Sequence, residues 1–150
     1  MSRTVMASLS AHPGPLPGAP GGRILVVEDE TIIRELIAQV LQEEGYQIEQ
    51  AANGAEALAK LKNFHPDAIV LDLMMPVMDG WAFANAWHAL ATGEAIPILI
   101  MSASPNLPRS AEQLRPYGVR AAIAKPFDLD VLLVAVARLA ARPVPVEWPG

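Results

Sequence analysis

Asp72 closes the apolar run Ala68-Ile-Val-Leu-Asp72, and Glu28-Asp29 follows the apolar run Ile24-Leu-Val-Val27 in the same way. Carboxylates placed at the ends of two buried strands can meet, because strand ends flanking the point where strand order reverses share one crevice in an open parallel α/β sheet. Three such groups repel one another when all are ionised, which is the physical argument for a cation among them. Oxygen donors with no cysteine or clustered histidine suit Mg²⁺, which binds through one or two carboxylates together with phosphate oxygens. Asp72 is then a candidate nucleophile toward phosphorus, a known form of carboxylate covalent catalysis. Two further strand-like runs end in polar groups: Ile98-Leu-Ile-Met101 in Ser102, and Ala121-Ala-Ile-Ala124 in Lys125-Pro126-Phe127. A lysine ammonium there is a point charge suited to a phosphoryl oxygen. Each group also has a plainer reading. Asp72 as a loop aspartate caps a turn, Asp29 caps the first helix, Ser102 is an ordinary loop serine, and Lys125 reaches out to water.

The elements that must position these residues follow from alternating short apolar runs and helical patterns, which signify βα units and a parallel sheet. Five units are expected. The first helix spans about Thr31 to Glu44, with Ile32, Leu36 and Val40 on one stripe, Ile33, Ile37 and Leu41 beside it, and Gly45 as its stop. Strand two covers about Tyr46 to Ala51. Asn53 with Glu56 three residues on forms a capping box that opens a helix to about Phe64. Trp81 to Ala91 is the third helix and Ile96 to Met101 the fourth strand. Pro105 and Pro108 place the start of a short fourth helix near Arg109, with its end around Tyr117-Gly118. Strand five covers about Ala121 to Ala124, and Asp128 is the N-cap of a last helix from Leu129 to about Ala141. Between Val131 and Ala141 only Arg138 is charged, so this helix is apolar nearly all round, a pattern that favours an interface over the last two helices.

Composition narrows the rest. The chain has 150 residues, 52% of them hydrophobic, enough for one packed core. With no cysteine, disulfides, thiolate metal sites and a cysteine nucleophile are excluded, and a cytoplasmic placement is expected. A net charge of −5 without a basic run argues against direct nucleic-acid binding. No stretch of about 18 apolar residues suggests a membrane span. Residues 1–22, interrupted by Pro13, Pro15, Pro17 and Pro20, are expected to be a flexible Pro/Gly-rich leader, residues 23–142 the folded domain, and residues 143–150 a short Pro-rich tail.

Glu28-Asp29, Asp72, Ser102 and Lys125, in this order on successive strands and with Met75-Pro76 and Asp79-Gly80 after the aspartate, resemble the response-regulator receiver domain of two-component signalling. The resemblance covers roughly Arg23 to Ala141. It implies a flavodoxin-like, doubly wound (βα)5 fold: a five-stranded parallel sheet in the order 2-1-3-4-5 with helices on both faces. Asp72 is then the phosphoacceptor, and Asp29 a direct ligand of Mg²⁺. Glu28 reaches the ion through water, while Asp72 and the backbone carbonyl of Met74 complete the protein's share. Lys125, joined to Pro126 by a cis bond, and Ser102 contact the phosphoryl group. The implied partners are a sensor histidine kinase or a histidine phosphotransfer protein, and a downstream protein whose binding is switched. A stand-alone receiver, chemotaxis-regulator-like, with a homodimer through the last two helices, is the expectation. Two features depart from the family pattern: Ala122 stands three residues before the lysine, where an aromatic ring is usual, and the loop after Ser102 carries two prolines in Ser104-Pro-Asn-Leu-Pro108.

Three other readings compete. A phosphatase of the haloacid dehalogenase type wants a second aspartate two residues after the nucleophile, where Met74 stands. A flavodoxin-like cofactor binder wants a glycine- and hydroxyl-rich phosphate loop, whereas Glu28-Asp-Glu30 repels phosphate. A degenerate receiver acting as a phosphorylation-independent binding module is opposed by the filled acidic, hydroxyl and lysine positions and kept open by Ala122.

Overall fold

The structure, a computed structural model, describes residues 22–90 and 96–141. The expected leader and tail lie outside these residues, apart from Gly22, which is buried and accepts the Gln47 N–H through its carbonyl. Five strands, β1 (Arg23–Val27), β2 (Gln47–Ala51), β3 (Ala68–Asp72), β4 (Ile98–Ser102) and β5 (Val119–Ala124), alternate with α1 (Thr31–Glu43), α2 (Gly54–Lys60), α3 (Gly80–Leu90), α4 (Leu107–Leu114) and α5 (Leu129–Ala140). All pairings are parallel and the order is β2-β1-β3-β4-β5, the expected one.

Each strand feeds two cores because successive side chains leave opposite faces of a sheet. Leu25, Val27, Ile69, Leu71, Ile98 and Ile100 meet α2, α3 and α4 on one side. Ile24, Val26, Val70, Leu99 and Met101 meet α1 and α5 on the other. β3 and β4 are buried along their whole length, as strands covered on both faces must be. Their carboxyl ends, Asp72 and Ser102, are therefore carried by strands inside the sheet that are covered on both faces.

Local differences from the sequence expectations have physical causes. α4 starts at Leu107 rather than near Arg109: Pro108 sits in its first turn, where the missing N–H has no partner to lose. A 3-10 turn, Arg115–Tyr117, and Gly118 at φ 104° end it. β4 begins at Ile98 instead of Ile96, since Pro97 contributes only its carbonyl, which accepts the Ile69 N–H. β5 begins at Val119, two residues earlier than expected, and the register shift opposite Ile98 and Leu99 takes up Arg120 as an extra residue. α2 ends at Lys60, short of Phe64. Asn53 Oδ1 does accept the Glu56 N–H at 3.0 Å, while Glu56 Oε1 accepts from Ala52 rather than Asn53. Asp128 occupies the N-cap position of α5 without a side-chain hydrogen bond.

Two helical stripes resolve more sharply than their sequences suggest. In α1 the buried line is Ile37, Ala38 and Leu41, whereas Ile32 is 82% exposed and Leu36 is also exposed. The apolar arc of this helix is wider than the sheet it covers. In α5, Leu132, Val136, Ala137 and Ala140 pack against the sheet, leaving Val131 and Val134 about half exposed. Burial against β3, β4, β5 and α1 takes up one side of this helix, and the interface expectation concerns the other.

Candidate phosphoacceptor and cation site

β3 delivers Asp72 to the carboxyl edge of the sheet with its side chain buried, and the Met74 N–H donates to Asp72 Oδ1 at 3.2 Å. The next turn is set by close backbone approach. A Cβ at Gly80 would lie 2.8 Å from the Asp72 carbonyl oxygen and 2.8 Å from Leu73 Cα, so only glycine lets α3 start this near the end of β3. Gly80 N–H donates to the Leu73 carbonyl. Between them, Val77 adopts φ 69° and the Met78 N–H donates to the Pro76 carbonyl at 2.8 Å.

From β1, Glu28 turns fully inward and Asp29 remains half-buried at the rim. Carboxylate oxygens of Glu28, Asp29 and Asp72 all lie within 4.8 Å of one another. The expectation that strand ends gather these three groups therefore holds. The donor set fits a hard divalent cation: it is all oxygen, negatively charged, and open on the Asp29 side. Asp29 does not cap α1. Glu30 holds the N-cap position and Glu28 Oε2 accepts its N–H at 3.2 Å.

Lys125 enters from the end of β5. Its Nζ donates to Glu28 Oε1 at 2.7 Å and stands 3.4 Å from Asp72 Oδ2. The Lys125-Pro126 bond is cis, as the resemblance implied. Burial, then the neighbouring Glu28 carboxylate, push the Asp72 carboxyl up to about 7, against the pull of the Met74 N–H and Lys125. The two carboxylates hold the Lys125 ammonium above its ordinary range despite burial, which acts the other way.

Ser102 is buried, and its Oγ accepts the Ser104 N–H at 3.0 Å, a short local turn before α4. Its carbonyl accepts the Lys125 backbone N–H at 2.9 Å, so the serine and the lysine are linked through the β4–β5 ladder. The register sets Met101 opposite Asp72, which places Ser102 one step beyond the aspartate. The Met74 side chain is exposed and its N–H is used by Asp72. Ala122 is half-buried against the α4 side of the core.

Sequence reasoning missed Arg34. Its Nη1 donates to the Glu28 carbonyl at 2.9 Å and its Nε to Gln50 Oε1 at 3.2 Å. The signal was a lone cation in an otherwise acidic helix, six residues after Glu28. Among the described residues no histidine joins the acidic cluster, and His88 makes an edge contact with Tyr117, ring centroids 5.2 Å apart.

Comparison with known proteins agrees with this geometry. The model of the response regulator receiver domain family matches residues 24–137. The response regulator MprA of Mycobacterium sp. (strain KMS) is 38% identical over 127 residues, 85% of this chain and 54% of the relative. The chain thus spans about half the length of the curated relatives it matches. Among solved structures, the chemotaxis protein CheY4 of Vibrio cholerae superposes with a TM-score of 0.73 at 33% identity, over 79% of this chain and 98% of that one. The signal receiver domain of a signal transduction histidine kinase from Syntrophus aciditrophicus gives 0.71 at 32% identity, covering 87% and 100%.

Proposed function

The chain belongs to the response-regulator receiver domain family, and from that premise we propose that it accepts a phosphoryl group on Asp72 in a Mg²⁺-dependent step and thereby switches its contacts with other proteins. The observation that carries this reading is the meeting of the Lys125 ammonium with the Glu28 and Asp72 carboxylates at the carboxyl edge of the sheet.

In the proposed step one Asp72 carboxylate oxygen forms the new bond to phosphorus. The bond from phosphorus to an imidazole nitrogen of the donor breaks, and the departing imidazole keeps the electron pair and takes a proton from solvent. The donor is a sensor histidine kinase or a histidine phosphotransfer protein, the kind of partner that membership of the receiver family implies. Lys125 is already within ion-pair distance of Asp72 and offsets the charge of the transferred group. Ser102 supplies a hydroxyl from the adjoining strand end. Asp29, Glu28, Asp72 and the Met74 carbonyl are the residues that would hold Mg²⁺, and the ion supplies positive charge that keeps clustered carboxylates and phosphoryl oxygens together.

Output is proposed as protein association. The net charge of −5 speaks against direct binding to nucleic acid, and no helix among the described residues is long and apolar enough to cross a membrane. Ala122 carries no ring, so the structural response to phosphorylation has to run through Ser102, its Ser104 turn and α4 without an aromatic rotamer change at that position.

Labelling tests the proposal. Wild-type protein incubated with Mg²⁺ and a small acyl phosphate is expected to gain one phosphoryl mass, and neither Asp72→Asn nor chelator-treated protein should. Equal labelling of Asp72→Asn, or labelling indifferent to chelation, overturns it.

A further inference from the structure

Arg34 is the only cation of α1, and its guanidinium ties together two strand ends. Nη1 donates to the backbone carbonyl of Glu28 at 2.9 Å, and Nε donates to Gln50 Oε1, on β2, at 3.2 Å. On the other side of the same residue, the Glu28 N–H donates to the Ala51 carbonyl at 3.0 Å. The backbone of Glu28 is therefore gripped at both its donor and its acceptor. Its carbonyl belongs to the peptide plane that continues into Asp29, and a peptide unit is rigid. Holding that carbonyl consequently sets the direction in which Asp29 leaves the chain. A planar guanidinium with donors in a fixed fork is suited to two acceptors at once in a way that a lysine ammonium is not.

We propose that Arg34 is a positioning residue for cation binding: by fixing the Glu28–Asp29 peptide plane against Gln50, it aims the Asp29 and Glu28 carboxylates at the point they share with Asp72. The proposal rests on reading the acidic cluster as a cation site. It opposes the simple electrostatic account of the same arginine. A positive charge beside the cluster repels Mg²⁺, so on charge alone its removal tightens binding. Loss of positioning loosens binding, as removal of the partners that orient metal ligands commonly does. The sign of the change separates the two.

The experiment is calorimetric titration of the purified full chain with Mg²⁺, comparing wild type, Arg34→Gln, Arg34→Lys and Gln50→Ala, with melting temperatures recorded in chelator. Both arginine variants are expected to bind Mg²⁺ about tenfold more weakly, the lower end of the range for such partners. Gln50→Ala, which removes only the anchor of the guanidinium and touches no carboxylate, should show a smaller weakening and guards against misfolding of the arginine variants. Unchanged binding in Arg34→Lys together with tighter binding in Arg34→Gln overturns the proposal and leaves charge as the whole effect. Absence of Mg²⁺ binding by wild type overturns the cation reading itself, a result distinct from variants that bind as wild type does.

Discussion

Lys125 and Glu28, 97 residues apart in sequence, form the tighter of the two ion pairs that the lysine makes, with Nζ 2.7 Å from Oε1 against 3.4 Å to Asp72 Oδ2. Glu28 is 0% exposed and Lys125 18%. In the metal-free protein the lysine thus neutralises the deepest carboxylate first and the proposed phosphoacceptor second. Under the proposed function, a cation that relieved Glu28 would free the lysine to shift toward Asp72 and an incoming phosphoryl group.

Replacing Lys125 by methionine keeps the length of the side chain and removes its charge. Breaking a buried pair from one side is costly, because the remaining ion stays in a poor environment, and a loss of about 3 kcal/mol is expected at pH 8 in chelator. The fold itself survives. Urea unfolding should show the loss shrinking when Mg²⁺ is added, since a cation replaces part of the missing charge, and a deficit that Mg²⁺ leaves untouched would mean that Lys125 does not share its partners with the ion.

Asp29 predicts the opposite behaviour. It lies at the rim, caps nothing in α1, and adds like charge to Glu28 and Asp72. Asp29→Ala is expected to leave metal-free stability equal or slightly higher, and to abolish the rise that Mg²⁺ confers on wild type. Ligand linkage gives that rise as about 2.7 kcal/mol when Mg²⁺ is present at 100 times its dissociation constant. Thermal melts with and without Mg²⁺ measure both terms, and a large drop of the metal-free Tm would instead make Asp29 a structural residue.

How much of this was legible beforehand depends on the kind of contact. Asp72, Glu28, Asp29, Ser102 and Lys125 were visible because each ends an apolar run, and parallel strands put all such ends on one edge. Arg34 was not, since its acceptor is a backbone carbonyl that carries no residue identity. The start of α4 was misplaced because a proline reads as a breaker unless its position in the first turn is known. In α1 the apolar stripe was found but not its buried edge, for Ile32 and Ile33 are alike in sequence and differ only in which one the sheet reaches. The extra residue in β5 leaves no trace in composition at all.

Val77 offers a stability prediction outside the charged cluster. Its φ of 69° lies in the left-handed region, where a β-branched residue is an outlier costing about 1–3 kcal/mol, and at 85% exposure it buries little in return. Val77→Gly relaxes the strain and gives back part of the gain as chain entropy. A net stabilisation of about 1 kcal/mol is expected in urea unfolding. Destabilisation would show that the valine side chain makes contacts that outweigh its backbone strain.

The pH dependence of metal-free stability tests the electrostatics of Asp72 directly. Its carboxyl is raised from the ordinary 3.8 to about 7, first by burial and then by Glu28. The sign is the reverse of the usual aspartate. Between pH 4 and pH 7 the folded state holds a proton that the unfolded chain has released, so this group's contribution falls as pH rises through that window and is flat above it. The accumulated penalty at pH 8 is on the order of a few kcal/mol. Asp72→Asn has no such proton to release. Its stability measured in chelator should therefore overtake that of wild type as pH rises from 4 to 8, with the difference between the two curves growing through the window and levelling off above pH 7. Mg²⁺ favours the ionised carboxylate and should pull the wild-type curve back up at the alkaline end. Parallel curves for wild type and Asp72→Asn across this range would show that Asp72 ionises at the ordinary carboxylate pH, and that the crowding of three carboxylates is relieved by something other than a retained proton.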